Sequence, residues 1–297
     1  MQHDEDFFQG TSSLNLYYQS WYPESQIRAV LIIVHGLGGH CNLYKNIIEH
    51  LVPKGYAIYA FDLPGNGRSP GLRGHINTWN DYRESLRLFV NLVTQKEITQ
   101  KEITQKEVML PFFLFGHSLG GLISLDYILH SSLPQKTSLL SGLITLAPAV
   151  GKIKISPIKL FIGKILSQIM PTFTLGTGID WSASTRDKDV LATYIKDELR
   201  HRLGTARLST EFMKTREWVT TQIDNLQLPL LILHGDADEV TPIEVSRELL
   251  QKVSSPDKEL IEYTGGYHEL QNDLCYPLMV KDIEDWLEKH LSNVQTI

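Results

Sequence analysis

Phe112-Phe113-Leu114-Phe115-Gly116-His117-Ser118-Leu119-Gly120-Gly121 decides the reading of this chain. Its first four residues are a short apolar run of the kind that forms a buried strand. From Gly120 to His130 apolar residues recur at helical spacing. Between the two lies G-x-S-x-G, which sets a serine at the apex of a strand–turn–helix. In so tight a turn, side chains flanking the serine would collide, so Gly116 and Gly120 stand where bulk cannot. A glycine-rich turn with an idle serine is the plain alternative, and it gives no reason for the strand before and the helix after.

Working outward, similar apolar runs recur: Ala29 to Val34, Tyr56 to Phe61, Leu143 to Leu146, Leu230 to Leu233 and a weaker Glu259 to Tyr263. Helical patterns lie between most of them, over Leu43 to Val52, Thr78 to Val93, Gly120 to His130 and Glu244 to Val253. This alternation predicts an α/β fold, a mostly parallel sheet with helices on both faces. Ser13 to Tyr18, with the stretch up to Trp21, reads as an antiparallel edge hairpin. Active sites in such sheets gather at the carboxyl ends of strands.

A serine hydroxyl needs a base, and the base needs an orienting acid. The run Leu230 to Leu233 leads into His234-Gly235-Asp236-Ala237-Asp238-Glu239. Asp238, three residues past Gly235, is far enough round the loop to point back at the serine. Asp236 is the second candidate and suits a turn cap; Glu239 is expected in solvent. After the last strand, Gly265-Gly266-Tyr267-His268 supplies a flexible loop with a histidine. Ser118, Asp238 and His268 thus follow the order serine, acid, histidine. An oxyanion needs preorganised N–H donors. Leu119, directly after the serine, offers one amide. Leu37, in His35-Gly36-Leu37-Gly38-Gly39-His40, offers the second. As a phosphate cradle that loop lacks G-x-G-x-x-G and a P-loop lysine. As metal sites, His35 with His40 and Asp236 with Asp238 lack a convincing third ligand. No metal or cofactor is expected.

At 297 residues, 42% hydrophobic and 21% charged, the chain suits a single globular α/β unit spanning 1–297. A net charge of −6 gives no global nucleic-acid footprint. Two cysteines, Cys41 and Cys275, are too few for a disulfide framework and point to a reducing, cytoplasmic setting. The acidic start Met1-Gln2-His3-Asp4-Glu5-Asp6 does not read as a secretory signal. No apolar run approaches the roughly eighteen residues of a membrane span.

These residues resemble the monoacylglycerol lipase and lysophospholipase-like α/β-hydrolases, also described as serine aminopeptidase S33-like. The resemblance extends from about Arg28 to Leu291. Asp62-Leu63-Pro64-Gly65-Asn66-Gly67-Arg68-Ser69 is similar to the family's D-x-x-G-x-G-x-S loop. Arg73-Gly74-His75 with Trp79, Asp81 and Tyr82 resembles R-G-H…F-x-D-Y, and Leu146-Ala147-Pro148-Ala149 resembles a strand end S-A-P-x-L. Thr185-Arg186-Asp187-Lys188-Asp189-Val190, continuing through Tyr194 to Asp197, resembles its cap segment, with Glu198 in place of a proline. The resemblance implies an α/β-hydrolase fold, the triad and oxyanion amides named above, no cofactor, and hydrolysis of carboxylic esters of small lipids such as monoacylglycerols or lysophospholipids. A peptidase or acyltransferase on the same triad is the alternative. A hydrolase-like binding protein without chemistry is the third reading.

Two segments break the rhythm. Residues 151–209 read as a helical cap inserted over the site. Gly151 to Ile179 has no Asp or Glu but carries Lys152, Lys154, Lys159 and Lys164. Ile158, Phe161, Ile162, Ile165, Leu166, Ile169 and Met170 fall on one side of its helical pattern, opposite Lys159, Gly163, Lys164, Ser167 and Gln168. This predicts a lid whose apolar side, with Ile158, Phe161, Ile162, Ile165 and Leu166, covers the substrate cleft, docks peripherally on an anionic membrane, or does both. Gln95 to Glu107 contains a five-residue tandem repeat, QKEIT, read as a polar extension of the preceding helix. Oligomeric state is not legible in the sequence.

Overall fold

The computed structural model describes residues 1–104, 110–131, 139–151 and 157–294, with side chains outside 98–104, 157–160 and 292–294. The amino-terminal half runs β1 (Gln2–Gln9), β2 (Asn15–Tyr22), β3 (Ala29–Val34), α1 (Lys45–Leu51), β4 (Tyr56–Phe61), α2 (Asn80–Thr104), β5 (Phe112–His117), α3 (Leu119–Ser131) and β6 (Leu140–Leu146). The remainder runs α4 (Pro157–Ile169), β7 (Thr174–Gly176), α5 (Lys188–Lys196), β8 (Leu203–Thr205), α6 (Ala206–Gln222), β9 (Leu230–Gly235), α7 (Glu244–Lys252), β10 (Lys258–Tyr263) and α8 (Tyr276–Val294).

Among the described residues eight strands form one sheet in the order β1-β2-β4-β3-β5-β6-β9-β10. The β1–β2 and β2–β4 pairs are antiparallel, and every later pair is parallel. A parallel strand covered on both faces is apolar throughout, and β3 divides its residues accordingly. Val30, Ile32 and Val34 pack on one face with Leu86 and Phe89 of α2 and Leu122 of α3. Ala29, Leu31 and Ile33 pack on the other with Ile47 and Leu51 of α1 and Trp286 of α8. The expected runs all fall in strands. The edge hairpin differs from expectation: β2 covers Asn15–Tyr22, and its partner is the acidic Gln2–Gln9 segment. That outer strand is mostly exposed, and its charges discourage further pairing.

Between β6 and β9 the chain leaves the sheet to form the cap. Its short strands β7 and β8 pair antiparallel, and α4 packs on α6. The boundary expected at Ser209 falls inside α6, which continues to Gln222 because its inner face joins the main core through Leu208 and Val219. The repeat continues α2 as far as Thr104; Gln105, Lys106 and Glu107 lie outside the described residues.

Candidate active site

Ser118 occupies the turn between β5 and α3 with φ of +52°, a left-handed conformation that a non-glycine residue adopts only under local constraint. Its amide donates to the Leu146 carbonyl (2.9 Å), and its carbonyl accepts from Ala149 (3.0 Å), so the turn is tied to the end of β6. The two glycines fill the steric role read from the motif. A Cβ on Gly116 would stand 2.6 Å from the Gly120 carbonyl oxygen, and one on Gly120 would stand 2.1 Å from that of Val34.

Three loops converge on this turn. The loop after β9 holds Asp238, and the loop after β10 holds His268. His268 Nε2 is 2.9 Å from Ser118 Oγ, and its Nδ1 is 2.7 Å from Asp238 Oδ2. Asp238 Oδ1 accepts from the amides of Val240 (2.8 Å) and Thr241 (2.9 Å), which fixes the carboxylate plane. Burial disfavours its charge, but His268, a hydrogen bond from His234 and the Thr241 amide outweigh burial and hold it well below the usual carboxylate range. For His268, burial would lower proton affinity; the Asp238 charge and hydrogen bond, with Glu269, reverse the sign and raise it above 6.5. Asp236 takes the other role read for it: its carboxylate accepts from the Gly265 amide (2.6 Å) and so braces the loop that carries His268. Glu239 is exposed.

The amides of Leu37 and Leu119 have no hydrogen-bond partner among the described residues, whereas the neighbouring Gly38 and Gly39 amides are bonded. Leu37, Leu119 and Ser118 border a largely apolar cavity of about 400 Å³, walled further by Ile179, Leu208, Phe212, Met213 and Val245. A more polar recess of about 40 Å³ also borders Ser118, against Trp181, Arg200, Arg202 and His268.

The lid expectation requires correction. Phe161, Ile162 and Ile165 are exposed and line neither space, and Leu166, partly buried, does not line them either. Ile158 lies in α4, outside the described side chains. The helix is rotated so that Ser167, 3% exposed, faces inward and its hydroxyl meets Thr210 of α6 at 2.7 Å. Phe161 (65% exposed) and Ile169 (68%) therefore point away from the protein. Lys152 and Lys154 lie outside the described residues.

Several contributors were not foreseen. His234 has Nε2 2.7 Å from the Thr241 carbonyl oxygen and 3.2 Å from Asp238 Oδ2, backing the acid loop. Arg186 pairs with Asp273, and Arg200 with Glu269, joining the cap to the histidine loop. The charge directly after His268 is the one hint the sequence carries; nothing in it pairs residues 69 positions apart. His35 is structural: Nε2 accepts from the Leu63 amide (2.9 Å), and Nδ1 lies 2.6 Å from the Gly36 carbonyl oxygen.

Sheet order, elbow and the convergence of loops define an α/β-hydrolase. The family model described as serine aminopeptidase, S33 matches residues 25–274, and the chain belongs to that family. Within it the chain is monoacylglycerol lipase-like. It is similar to a monoacylglycerol lipase of Mycolicibacterium smegmatis, 29% identical over 289 residues, 97% of this chain and 98% of that one. It is 28% identical to the phospholipase YtpA of Bacillus subtilis, covering 86% of this chain and 92% of the relative. Among solved structures, that of the Paleococcus ferrophilus monoacylglycerol lipase superposes with a TM-score of 0.78 at 31% identity, covering 93% of this chain and 99% of that chain.

Two outcomes are expected. Gly120→Ala forces a methyl against the Val34 carbonyl and should destabilise the fold by about 3 kcal/mol or more in urea unfolding. A loss under about 1 kcal/mol would mean that the elbow tolerates bulk. A base whose proton affinity is raised must shed its proton before it acts. The acid limb of kcat/KM should therefore fall at a pH above the 6.5 of an ordinary imidazole. A rate that stays flat from pH 5 to pH 8 would contradict His268 as base.

Proposed function

We propose that this protein hydrolyses carboxylic esters of lipids, monoacylglycerols foremost, by acyl transfer through Ser118, His268 and Asp238. The observation that carries the reading is the unbroken hydrogen-bonded line from Asp238 through His268 to Ser118, ending at the mouth of an apolar cavity. The relatives named for monoacylglycerol and phospholipid hydrolysis agree with it.

In the first step His268 takes the Ser118 proton as the hydroxyl attacks the ester carbonyl. The Leu37 and Leu119 amides hold the oxyanion. The imidazolium, steadied by Asp238, then protonates the leaving alcohol and an acyl-enzyme remains. Water repeats the sequence and frees the fatty acid. The apolar cavity suits the acyl chain, and the polar recess lined by Arg200 and Arg202 suits the alcohol. Asp238 binds no proton in this cycle; its tie to Nδ1 keeps Nε2 aimed at the serine.

The outward face of the cap supports a further part of the reading. Phe161, Ile162, Ile165, Ile169 and Met170 of the α4 region, with Leu175 and Leu203 of β7 and β8, leave an exposed apolar area beside Lys164. Among the described residues no helix is long and apolar enough to cross a membrane. Such a face suits peripheral contact with a lipid surface, where the substrate resides.

A p-nitrophenyl ester series from acetate to palmitate, with Ser118→Ala in parallel, tests the chemistry. Wild type is expected to turn the series over, and the variant is expected to lose at least about 10³-fold. Equal activity in both would remove Ser118 from the reaction. Matched anilides and alcohol acceptors separate hydrolase from peptidase and acyltransferase; faster anilide cleavage would favour the peptidase. The surface contact is tested with Phe161→Asp/Ile162→Asp. Turnover of monoacylglycerol in anionic vesicles should drop about tenfold or more, while a soluble short ester is unaffected. Equal loss on both substrates would place these residues in folding or the site instead.

A further inference from the structure

The cap is fastened to the loop that carries His268. At one point Arg186 forks onto Asp273. At the other, Arg200 Nη2 meets Glu269 Oε1 at 2.7 Å, and Nη1 meets Oε2 at 3.2 Å. These two side chains are only 5% and 6% exposed. The guanidinium carbon lies 3.8 Å from the Tyr194 ring centroid and 5.5 Å from that of Trp181, a stacked setting that a lysine cannot reproduce. The backbone holds both partners in place. The Arg200 amide donates to the Asp197 carbonyl (3.1 Å), the His201 amide to Gly38 (3.2 Å) and the Glu269 amide to Ser184 (2.8 Å).

Glu269 follows His268 directly, so its carboxylate is buried beside the candidate base. Two carboxylates acting on one imidazole would hold its proton more tightly than a base working near neutral pH can use. We propose that Arg200, a residue of the cap, is a positioning residue for His268: it neutralises Glu269, leaves the imidazole under the charge of Asp238, and fixes the loop on which the imidazole rides. This rests on reading Ser118, His268 and Asp238 as catalytic.

The surroundings of His268 agree with this. Asp238 faces it from the loop after β9, with His234 of that strand behind. His117 of β5 lies 5.0 Å away ring to ring and is held near pKa 3, chiefly by burial, so it stays neutral. Glu269 is held near 2: burial opposes its charge, and Arg200 overcomes burial. Tyr44, which senses both Glu269 and Arg200, and His35, which senses Arg200, are kept neutral chiefly by burial.

The test is the pH profile of Ser118-dependent hydrolysis of a soluble short ester. Glu269→Gln leaves Arg200 unmatched and should move the acid limb to lower pH by about half a unit or more. Adding Arg200→Gln to it should return the limb to the wild-type position. Arg200→Lys keeps the charge without the fork; it should keep the limb and lower kcat several-fold with little change in KM. An acid limb unmoved in Glu269→Gln, or one that does not return in the double variant, overturns the proposal even if all variants lose rate. Glu269→Gln retains shape and an acceptor for Arg200, so it decides the matter if Arg200→Gln is unstable in either background. A wild type with no Ser118-dependent acid limb would defeat the triad reading instead.

Discussion

The approach of Gly120 to the end of β3 is the contact on which the site depends. With no Cβ at position 120, the first turn of α3 settles directly against the carbonyls of Val34 and His35. That contact lies where the parallel pair β3 and β5 ends, with Val34 opposite Gly116. It also brings the turn after Ser118 beside the loop that contains Leu37. The two amides proposed for the oxyanion belong to these two segments. Their proximity is therefore a packing consequence of one missing side chain, set before any substrate arrives. Preorganised donors are effective because they need no reorientation as charge develops.

Around this centre the protein buries more charge than a hydrolytic triad needs. Asp238, Glu269 and Asp273 all lie within or beside the loops that meet at His268, and each is at most 7% exposed. An unpaired buried carboxylate is costly, so each has a partner: His268 and two amides, Arg200, and Arg186. Two of these partners come from the cap. The stretch from Trp181 to Thr205 is in this sense part of the wall of the candidate site, and its loss would leave buried charge on the loop that carries His268.

Most of the sheet was legible because strands buried on both faces must be apolar without a break, as Ala29–Val34 and Tyr56–Phe61 are. Ser118, Asp238 and His268, which the structure brings together, each sit in the turn or loop after a strand, although the strand before His268, β10, is a partly exposed edge strand with a weaker signal. The outermost strand was not, since an exposed edge carries no burial signal: Gln2–Gln9 is held by backbone pairing to β2 while Asp4, Glu5 and Asp6 face solvent. The cap helix teaches a different lesson. Periodicity does not say which side of a helix meets the protein, and here Ser167 is buried while Lys164 and Gln168, read on the same side, are exposed like Phe161 and Ile169. The small Ser167 fits against α6 and satisfies its hydroxyl on Thr210, and that single polar contact sits on the inward side. The partners Arg200 and Glu269 were beyond reach because their pairing exists only after the cap folds back over the sheet.

The cap then has two halves with opposite chemistry. From Trp181 to Arg202 it carries the ion pairs that anchor it to the histidine loop. From α4 through β7 it offers apolar side chains outward and meets the body of the protein chiefly through α6. An enzyme acting on water-soluble esters gains nothing from exposed Phe161 and Ile169, because such a surface favours association over solubility. Against a lipid surface the same residues lose their cost, since burial in acyl chains returns the hydrophobic free energy that exposure withholds. The anchored half would hold the base in place while the apolar half contacts the lipid, so that surface contact and catalytic geometry need not disturb one another.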